Sequence, residues 1–534
     1  MDRVCDLKDQ CSIEPHPLLQ SQKSIRHHFL DYCTEGLEVI VVGASGDLAK
    51  KKTYPALYDL YEHGFITEQT TIVGFARSAK EEGAFRATLK PFIQKLSNNE
   101  TKIDQFLSKC TYKQGQYGST QSMEELVQLL DEWRQRNGFT VSNRLFYFAI
   151  PPNVFIKTAA AIKAAGVSAS GWTRLIVEKP FGHDLASAEE MASSLNSYFT
   201  EDYIYRIDHY LGKEMVQNLL VMRFTNIMWE HVWNRNLVKS VMITFKEPFG
   251  TKGRGGYFDN YGIIRDIMQN HLMQVMCLVA MEPPVLASGE GSADMVRDEK
   301  VKVLKSIPPI RLEDTVVGQY LADPDGSEVG YLEDPTVPDD SLTPTFAQCT
   351  MWVNNPRWDG VPFIMKAGKA LNERKAEVRI QFRAAPAAQV MFAGATCPEN
   401  ELVMKLQPDQ AIYLKTNVKT PGLRTQPEQS ELDLSYQERY ASTYNPDAYT
   451  RLILDVLRGS QATFVREDEL RASWKIFDPL LKELEANKVV PIPYQYGSRG
   501  PDEADSLREA AGVVYNSAYQ WRGPSASLPN PPKK

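Results

Sequence analysis

The sequence lacks the features of three broad classes of protein. Its longest apolar stretches, such as Val275–Met281, fall well short of the roughly 20 residues that cross a bilayer, so we expect no membrane span. Residues 1–30 mix acidic, basic and histidine side chains, which argues against a secretory signal. The net charge of −7 argues against bulk binding to nucleic acid, which needs a basic surface.

Cysteine is scarce as well. The seven cysteines include no CxxC pair, which excludes a zinc cluster and a dense disulfide framework. A reducing compartment is the simplest interpretation, and we predict a cytoplasmic protein. We favour the interpretation that Cys5 and Cys11 are unpaired surface thiols without a role. A redox role for them is the alternative.

What the sequence does have is enough chain for more than one hydrophobic core. With 534 residues, 43% of them hydrophobic, it should divide into at least two domains. Residues 1–36 show no sustained periodicity and are predicted to be an N-terminal extension. Residues 37–209 and 210–534 are predicted to be the two domains.

The two domains differ in pattern. In the first, apolar strands such as Leu37–Val42 and Thr71–Phe75 alternate with helical stretches, which predicts a Rossmann-like, doubly wound parallel sheet of the α/β class. After about residue 210 the alternation stops, and the segments between the later strands are too short for crossover helices. We therefore predict an α+β domain with a large, mostly antiparallel sheet, built from strands at Val238–Phe245, Thr345–Val353, Ala376–Phe382, Leu402–Gln407 and Ala411–Leu414.

The turn after the first strand has the composition of a dinucleotide site. Gly43 permits a tight turn, and Gly46 lets backbone N–H groups approach a pyrophosphate at a helix N-terminus. The spacing departs from GxGxxG, so a strand–turn–helix corner without a ligand is the alternative. The residues predicted to contact the cofactor are Gly43, Ala44, Ser45, Gly46, Asp47 and Leu48.

The residue after the second strand indicates which dinucleotide is bound. NAD sites place an acid there for the ribose 2′-hydroxyl, whereas NADP sites offer a cation to the 2′-phosphate. Here the strand Thr71–Phe75 leads into Ala76 and Arg77, and Arg77 stands where the acid would be. The run Lys50–Lys52 adds exposed positive charge beside the phosphates. The pattern favours NADP⁺.

Three further segments carry polar side chains that we expect to line a ligand-binding cleft. Two of them lie near the first sheet, and the third is the helix described in the next paragraph. Lys179 follows a strand at the carboxyl edge of the first sheet, where ligands of such folds bind. His209, Tyr210 and Lys213 precede a helix, where they suit a dianion, although a capped helix with a solvated Lys213 is the alternative.

The helix predicted at Phe258–Met281 carries a polar stripe that is typical of a cleft-lining helix. A lone helical histidine such as His271 is more often structural than catalytic. In an α-helix Asp266 and His271 lie roughly 140° apart, so we expect another segment to supply a carboxylate that orients His271.

Taken together, these segments resemble the glucose-6-phosphate dehydrogenase family. The matching strings are GASGDLAKKK, VEKPFG, RIDHYLGKE, TFKEPFG, GRGGYFD with GIIRD and QNH, WDGVPF and GKALNERKAEVR, spread from about residue 37 to 522. The resemblance implies that NADP⁺ takes the hydride from C1 of glucose 6-phosphate, that the second domain binds substrate, and that the protein is a homodimer or homotetramer.

The resemblance also implies a role for each matching residue. His271 matches the general base, Asp208 the carboxylate that orients it, and Lys179 a group that contacts the sugar and helps place the nicotinamide. No metal is needed, because a neutral histidine beside an aspartate can serve as base near neutral pH. The other substrate-site matches are His209, Tyr210, Lys213, Glu247, Asp266, Lys369, Arg374 and Gln407.

Animal members of this family carry a second, structural NADP⁺ in the C-terminal domain. Lys366 and Lys405 stand where those enzymes have arginine, and lysine cannot make the bidentate fork of arginine to phosphate. These departures leave occupancy of the site open. The other matching positions are Lys375, Arg379, Tyr413, Lys415, Asp433, Arg499, Tyr515 and Trp521.

Two alternatives to this function stay in view. One is a broader hexose-6-phosphate or glucose dehydrogenase of the same fold. The other is a catalytically silent dinucleotide-binding scaffold or redox sensor. The presence of His271, Asp208 and Lys179 together argues against the second, because a scaffold needs neither a base nor its orienting partner.

Overall fold

The computed structural model describes residues 35–285, 292–392, 397–423 and 425–513. The predicted extension lies almost wholly outside these ranges, as do Cys5, Cys11, Tyr515 and Trp521. The chain folds into two compact units and enters each of them more than once. The first unit takes the residues up to Gly212 together with Pro284–Glu299 and Pro446–Arg471. The predicted domains are continuous and leave out these two returns to the first unit.

The first unit is built on a parallel sheet of six strands, as predicted. The strand order is β3-β2-β1-β4-β5-β6, so it reverses direction between β1 and β4. Ligands of such sheets bind at the carboxyl ends of the strands near this reversal. The strands are β1 Gly36–Val42, β2 Thr70–Ala76, β3 Cys110–Gln114, β4 Ser142–Phe148, β5 Thr173–Val177 and β6 Ile204–Arg206.

Helices of the first unit begin and end at recognisable signals. The helix Tyr54–Glu62 carries a proline in its first turn and is followed by Gly64, whose φ is 78°. The remaining helices are Glu82–Ile93, Glu100–Ser108, Thr120–Arg136, Phe155–Ala161, Leu185–Asn196 and Ala448–Arg458, with π-helical turns at Ala49–Thr53 and Ile162–Gly166 and 3₁₀ turns at Pro152–Val154 and Glu201–Tyr203.

The second unit is built on a nine-stranded sheet in the order β14-β13-β12-β11-β7-β10-β9-β8-β15. Only the β7–β10 and β8–β15 pairs are parallel, which confirms the prediction of a mostly antiparallel sheet. The strands are β7 Val238–Lys246, β8 Thr315–Tyr320, β9 Phe346–Trp352, β10 Pro362–Gly368, β11 Lys375–Phe382, β12 Glu401–Gln407, β13 Ala411–Lys419, β14 Pro427–Ser435 and β15 Ile492–Tyr494.

The predicted helix Phe258–Met281 is wrong as a single α-helix. A short helix, Gly255–Asp259, ends before Gly262, whose φ is 66°. A π-helix then spans Ile264–Leu272 and continues as the α-helix Met273–Ala280.

The second unit contains several further helices. Among the described residues, no helix combines the length and apolar composition needed to cross a membrane. The further helices of the second unit are Glu214–Thr225, Ile227–Val232, Pro386–Met391, Tyr436–Arg439 and Asp502–Ala510, with 3₁₀ turns at Leu312–Asp314 and Tyr331–Glu333. Two more helices, Ser292–Lys305 and Glu467–Ala486, have residues in each unit.

Candidate active site

The glycine turn lies at the carboxyl end of β1, beside the reversal of strand order. Gly43 has a φ of 87°, and a Cβ atom added there would lie 2.3 Å from the carbonyl oxygen of Ala149. Only glycine fits this position. The N–H of Gly46 donates to the carbonyl of Gly43 at 2.9 Å and closes the turn. Ser45 and Leu48 are partly exposed and Asp47 is exposed, so the turn is open to solvent.

Arg77 lies on the neighbouring loop. It is exposed directly after β2, and its guanidinium lies 5.5 Å from the ring of Tyr117. The hydroxyl of Ser78 lies 3.3 Å from that of Ser45, which joins this loop to the glycine turn. The backbone N–H groups of a glycine turn, a hydroxyl and a guanidinium are the donors that a phosphorylated dinucleotide requires, so the residues fit NADP⁺.

The net positive charge around the Lys50–Lys52 run is lower than the sequence predicts, because two carboxylates pair with these lysines. Lys50 and Lys51 pair with Asp47 at 3.4 and 2.8 Å, and Lys52 lies 3.4 Å from Asp447. The bond from Lys51 lowers the pKa of Asp47. These two carboxylates therefore offset part of the positive charge that we expected beside the phosphates.

β5 delivers Glu178 and Lys179 to the carboxyl edge of the sheet. Glu178 is buried and accepts a hydrogen bond of 2.5 Å from the phenol of Tyr147 on β4. Burial raises the pKa of Glu178 to about 7, against the opposing effects of Tyr147 and Lys179. Lys179 itself is half-buried. The sequence singles out Lys179 but gives no sign of the Tyr147–Glu178 pair.

The segment after β6 forms a tight, polar turn. Asp208 is buried, and its carboxylate accepts the N–H of Tyr210 at 2.9 Å. The ring of His209 is stacked on that of Tyr449, with centroids 6.0 Å apart and planes 6° apart. It meets the ring of Tyr210 edge-on at 5.0 Å. Tyr449 is a site residue that sequence reasoning missed, because no motif connects it to His209.

Gly212 explains why the turn is so close to the helix that carries Tyr449. A Cβ atom at Gly212 would lie 2.6 Å from the carbonyl oxygen of Ala448. The guanidinium of Arg451 donates to the carbonyl of Gly212 at 3.3 Å. The turn and the helix Ala448–Arg458 are therefore in backbone contact, which a larger side chain would prevent.

In the second unit, Asp266 and His271 lie on the π-helix. His271 is buried, and Asp266 is partly exposed. In a π-helix each N–H bonds to the carbonyl five residues earlier, so residues five apart lie one turn above another. The separation of roughly 140° expected for an α-helix therefore does not apply. On this helix Asp266 and His271 can therefore be neighbours, contrary to the expectation from an α-helix.

Four other predicted substrate residues form two pairs in the second unit. The ammonium of Lys369 lies 2.6 Å from the carboxylate of Glu247. The ammonium of Lys213, at the start of the helix Glu214–Thr225, donates to the amide oxygen of Gln407 at 2.7 Å. Each lysine is thus held by a polar partner at the end of a strand. Arg374 is exposed immediately before β11.

Seven of the residues predicted for the second nucleotide lie on β10 to β14, and strand pairing puts them on one face of the nine-stranded sheet. Strand pairing puts Arg379, Val403, Tyr413 and Asp433 in one row across β11 to β14. Four cations of this face have carboxylate partners: Lys375 lies 2.8 Å from Glu373, Lys415 lies 3.0 Å from Glu401, Lys405 lies 3.9 Å from Asp409, and Arg379 bonds both Glu377 and Glu401.

Lys366 is a further buried cation of this face. Its ammonium donates to the carbonyl of Arg499 at 2.8 Å and lies 5.1 Å from the ring centroid of Phe346. Burial, with Lys246 nearby, lowers its pKa to about 7. The Arg499 guanidinium pairs with Asp505 at 3.2 Å.

Two family models together match almost the whole described chain. Residues 40–218 match "Glucose-6-phosphate dehydrogenase, NAD binding domain", and residues 220–522 match "Glucose-6-phosphate dehydrogenase, C-terminal domain".

Relatives match over nearly their full length. A glucose-6-phosphate 1-dehydrogenase of Takifugu rubripes is 53% identical, over 91% of this chain and 90% of that protein. A cytoplasmic isoform from Solanum tuberosum is 50% identical, over 92% of this chain and 94% of that protein. A solved glucose-6-phosphate dehydrogenase in complex with glucose 6-phosphate is 47% identical, with a TM-score of 0.85 over 90% of this chain and 99% of that one.

Proposed function

This chain belongs to the glucose-6-phosphate dehydrogenase family, and we propose that His271 is the general base of its reaction. The enzyme oxidises D-glucose 6-phosphate to 6-phospho-D-glucono-1,5-lactone and forms NADPH, in the first step of the oxidative pentose phosphate pathway. NADP⁺, when bound, accepts the hydride from C1. The proposal is supported by the burial of His271 on a helix with a polar stripe, where a neutral imidazole can take the proton of the C1 hydroxyl.

The remaining residues bind and orient the substrate. Asp208 orients His271 and stabilises the imidazolium charge that it acquires, as the family resemblance implies. His209, Tyr210 and Lys213 bind the 6-phosphate, and the bond from Lys213 to Gln407 fixes the position of the ammonium. Glu247 and Lys369, which pair with one another, contact the sugar with Asp266, Arg374 and Lys179.

The assay that tests this function is NADPH formation monitored by absorbance. Initial rates with glucose 6-phosphate should exceed those with glucose and with galactose 6-phosphate. Equal rates with glucose would show that the phosphate-binding residues do not select the substrate.

Replacing Arg77 with alanine is expected to weaken NADP⁺ binding roughly ten- to a hundredfold, the worth of a charged contact to a phosphate. NAD⁺ binding should change little, because NAD⁺ has no 2′-phosphate. Kd values for both nucleotides measure the effect, with Arg136→Ala as a control at another exposed arginine of the first unit. Equal losses for NADP⁺ and NAD⁺ would mean that Arg77 only supports the fold.

We also propose that the charged face of the nine-stranded sheet binds a second, structural NADP⁺. Its support is the row that contains Arg379, Tyr413 and Asp433, together with the cations around it. Lys366, Lys375, Lys405, Lys415 and Arg499 contact the phosphates of this nucleotide, while Tyr413 offers a stacking surface. Tyr515 and Trp521 belong to the same proposal through the family resemblance alone.

Binding at this second site is expected to weaken as pH rises from 6 to 8.5. Lys366 loses its proton above a pKa of about 7, instead of its usual 10.5, so within this window the unfolded chain carries a proton that the folded, ligand-free protein lacks. Ligand-free stability thus rises with pH, whereas a bound phosphate requires the proton. Affinity should fall by up to about tenfold per pH unit above 7.

The measurement is the NADP⁺-induced rise in Tm of an Arg77→Ala variant, at NADP⁺ concentrations below the weakened Kd of the first site. Lys366→Arg in the same background keeps the charge at every pH and should remove the lysine-dependent part of the fall. A fall of the same size in both variants would mean that Lys366 does not contact the nucleotide. No rise in Tm at any pH would mean that this face binds no NADP⁺.

We propose a cytoplasmic location and a homodimer or homotetramer. The location is supported by the name of the Solanum tuberosum relative, and the assembly by the family resemblance. Sedimentation velocity would measure the assembly state.

A further inference from the structure

Glu178 is a buried carboxyl group that the roles above leave unused. It follows the last residue of β5 and immediately precedes Lys179, and only about 6% of it is exposed. A buried carboxyl group is costly unless it is hydrogen-bonded or neutral. The groups around Glu178 therefore determine whether its carboxyl group is ionised or neutral.

Groups from four elements of the first unit face this carboxyl. The phenol of Tyr147, on β4, donates to it at 2.5 Å. The backbone N–H of Lys179 also bonds to it, and the Lys179 ammonium adds a favourable charge. Asp208, after β6, and Tyr449, on the helix Ala448–Arg458, interact with it electrostatically.

These contacts tie Glu178 to the backbone of the residue that follows it. A carboxylate that accepts from Tyr147 and from the Lys179 N–H holds the chain between β5 and Pro180 in one conformation. That conformation decides where the Lys179 side chain begins. The negative charge of Asp208 acts on the same carboxylate and disfavours its ionised form.

We propose that Glu178 is a positioning residue that acts in its ionised form: its carboxylate, held by Tyr147, fixes the backbone of Lys179 without touching the substrate. The inference rests on the role proposed above for Lys179. Both hydrogen bonds favour the anion, whereas burial and Asp208 favour the neutral acid. The two forms are balanced near neutral pH, so the positioning is strengthened as pH rises through 7.

The test is the pH profile of kcat/KM for glucose 6-phosphate between pH 6 and 8.5. Glu178→Gln removes the charge at nearly constant volume. It should lower kcat/KM about tenfold at pH 8, as expected for the loss of a hydrogen-bonded charge, and by much less at pH 6, where Glu178 is already neutral.

Tyr147→Phe supplies a second, independent measurement. It removes a bond that stabilises the anion, so the same limb of the profile should move to higher pH by about one unit. A pair of the same kind serves as control: Tyr58 donates to Glu62 at 3.1 Å on the helix Tyr54–Glu62. Glu62→Gln should leave the shape of the profile unchanged.

A packing role would lower kcat/KM of Glu178→Gln by one factor at every pH. That result, or an unmoved limb in Tyr147→Phe, overturns the proposal. Lys179→Ala separates this outcome from a failure of the proposed function. If that variant keeps full activity, the role of Lys179 is wrong, whatever the profile of Glu178→Gln shows.

Discussion

Replacing His271 with asparagine is expected to lower kcat by about 10²–10⁴, the usual contribution of a positioned general base. Asparagine is similar in size and can be buried at the same point of the π-helix, so the fold should be kept. KM for glucose 6-phosphate should change little, because the base acts on the proton of the C1 hydroxyl and not on the phosphate. Steady-state rates of NADPH formation measure both constants.

The control for this variant is His231→Asn, since His231 is an exposed histidine of the same unit. It should retain wild-type kcat. If His271→Asn retained more than about a tenth of wild-type kcat, His271 would be a structural histidine of the π-helix and the base would lie elsewhere. A large fall in Tm would instead show that asparagine is not tolerated there.

The roles of Asp208 and Asp266 can be distinguished by the effects of their asparagine variants on kcat and KM. Asp208→Asn is expected to lower kcat by about 10² or more, approaching the 10⁴ that loss of the orienting carboxylate costs in a well-studied His–Asp pair. Asp266→Asn is expected to act mainly on KM, because Asp266 is assigned to the sugar. The π-helix makes this comparison necessary, since Asp266 and His271 are one π-turn apart.

The two variants are measured together over pH 6 to 9, with kcat and KM determined separately. If Asp266→Asn abolished turnover with KM unchanged while Asp208→Asn kept turnover, the orienting carboxylate would be Asp266. Similar losses in kcat for both would mean that the two carboxylates share the imidazolium charge.

The parallel sheet of the first unit was the easiest part of the fold to predict. Strands such as β1 and β2 are buried along their whole length, so their side chains are nearly all apolar and the signal is strong. β14 shows the opposite case. Its sequence, PEQSELDLS, is mostly polar, and its residues are paired with β13 rather than packed in a core. Pairing with a distant strand leaves no periodic pattern in the sequence.

The candidate site divides in the same way. The glycine turn, Arg77 and the segment around His209 could be located because each follows a strand along the chain. Tyr449 and Tyr147 could not, because tertiary packing alone brings them to His209 and Glu178. The π-helix was missed for another reason: hydrophobic spacing cannot distinguish it from an α-helix over nine residues.

The return of Pro446–Arg471 to the first unit has a consequence for biosynthesis. The helix Ala448–Arg458 leaves the ribosome long after Gly212, the residue whose carbonyl it contacts through Arg451. Until then the nascent first unit lacks the ring that stacks on His209 and keeps apolar surface uncovered. Translation of nearly the whole chain therefore precedes completion of the first unit, and until then the apolar surface that this helix covers stays exposed to water.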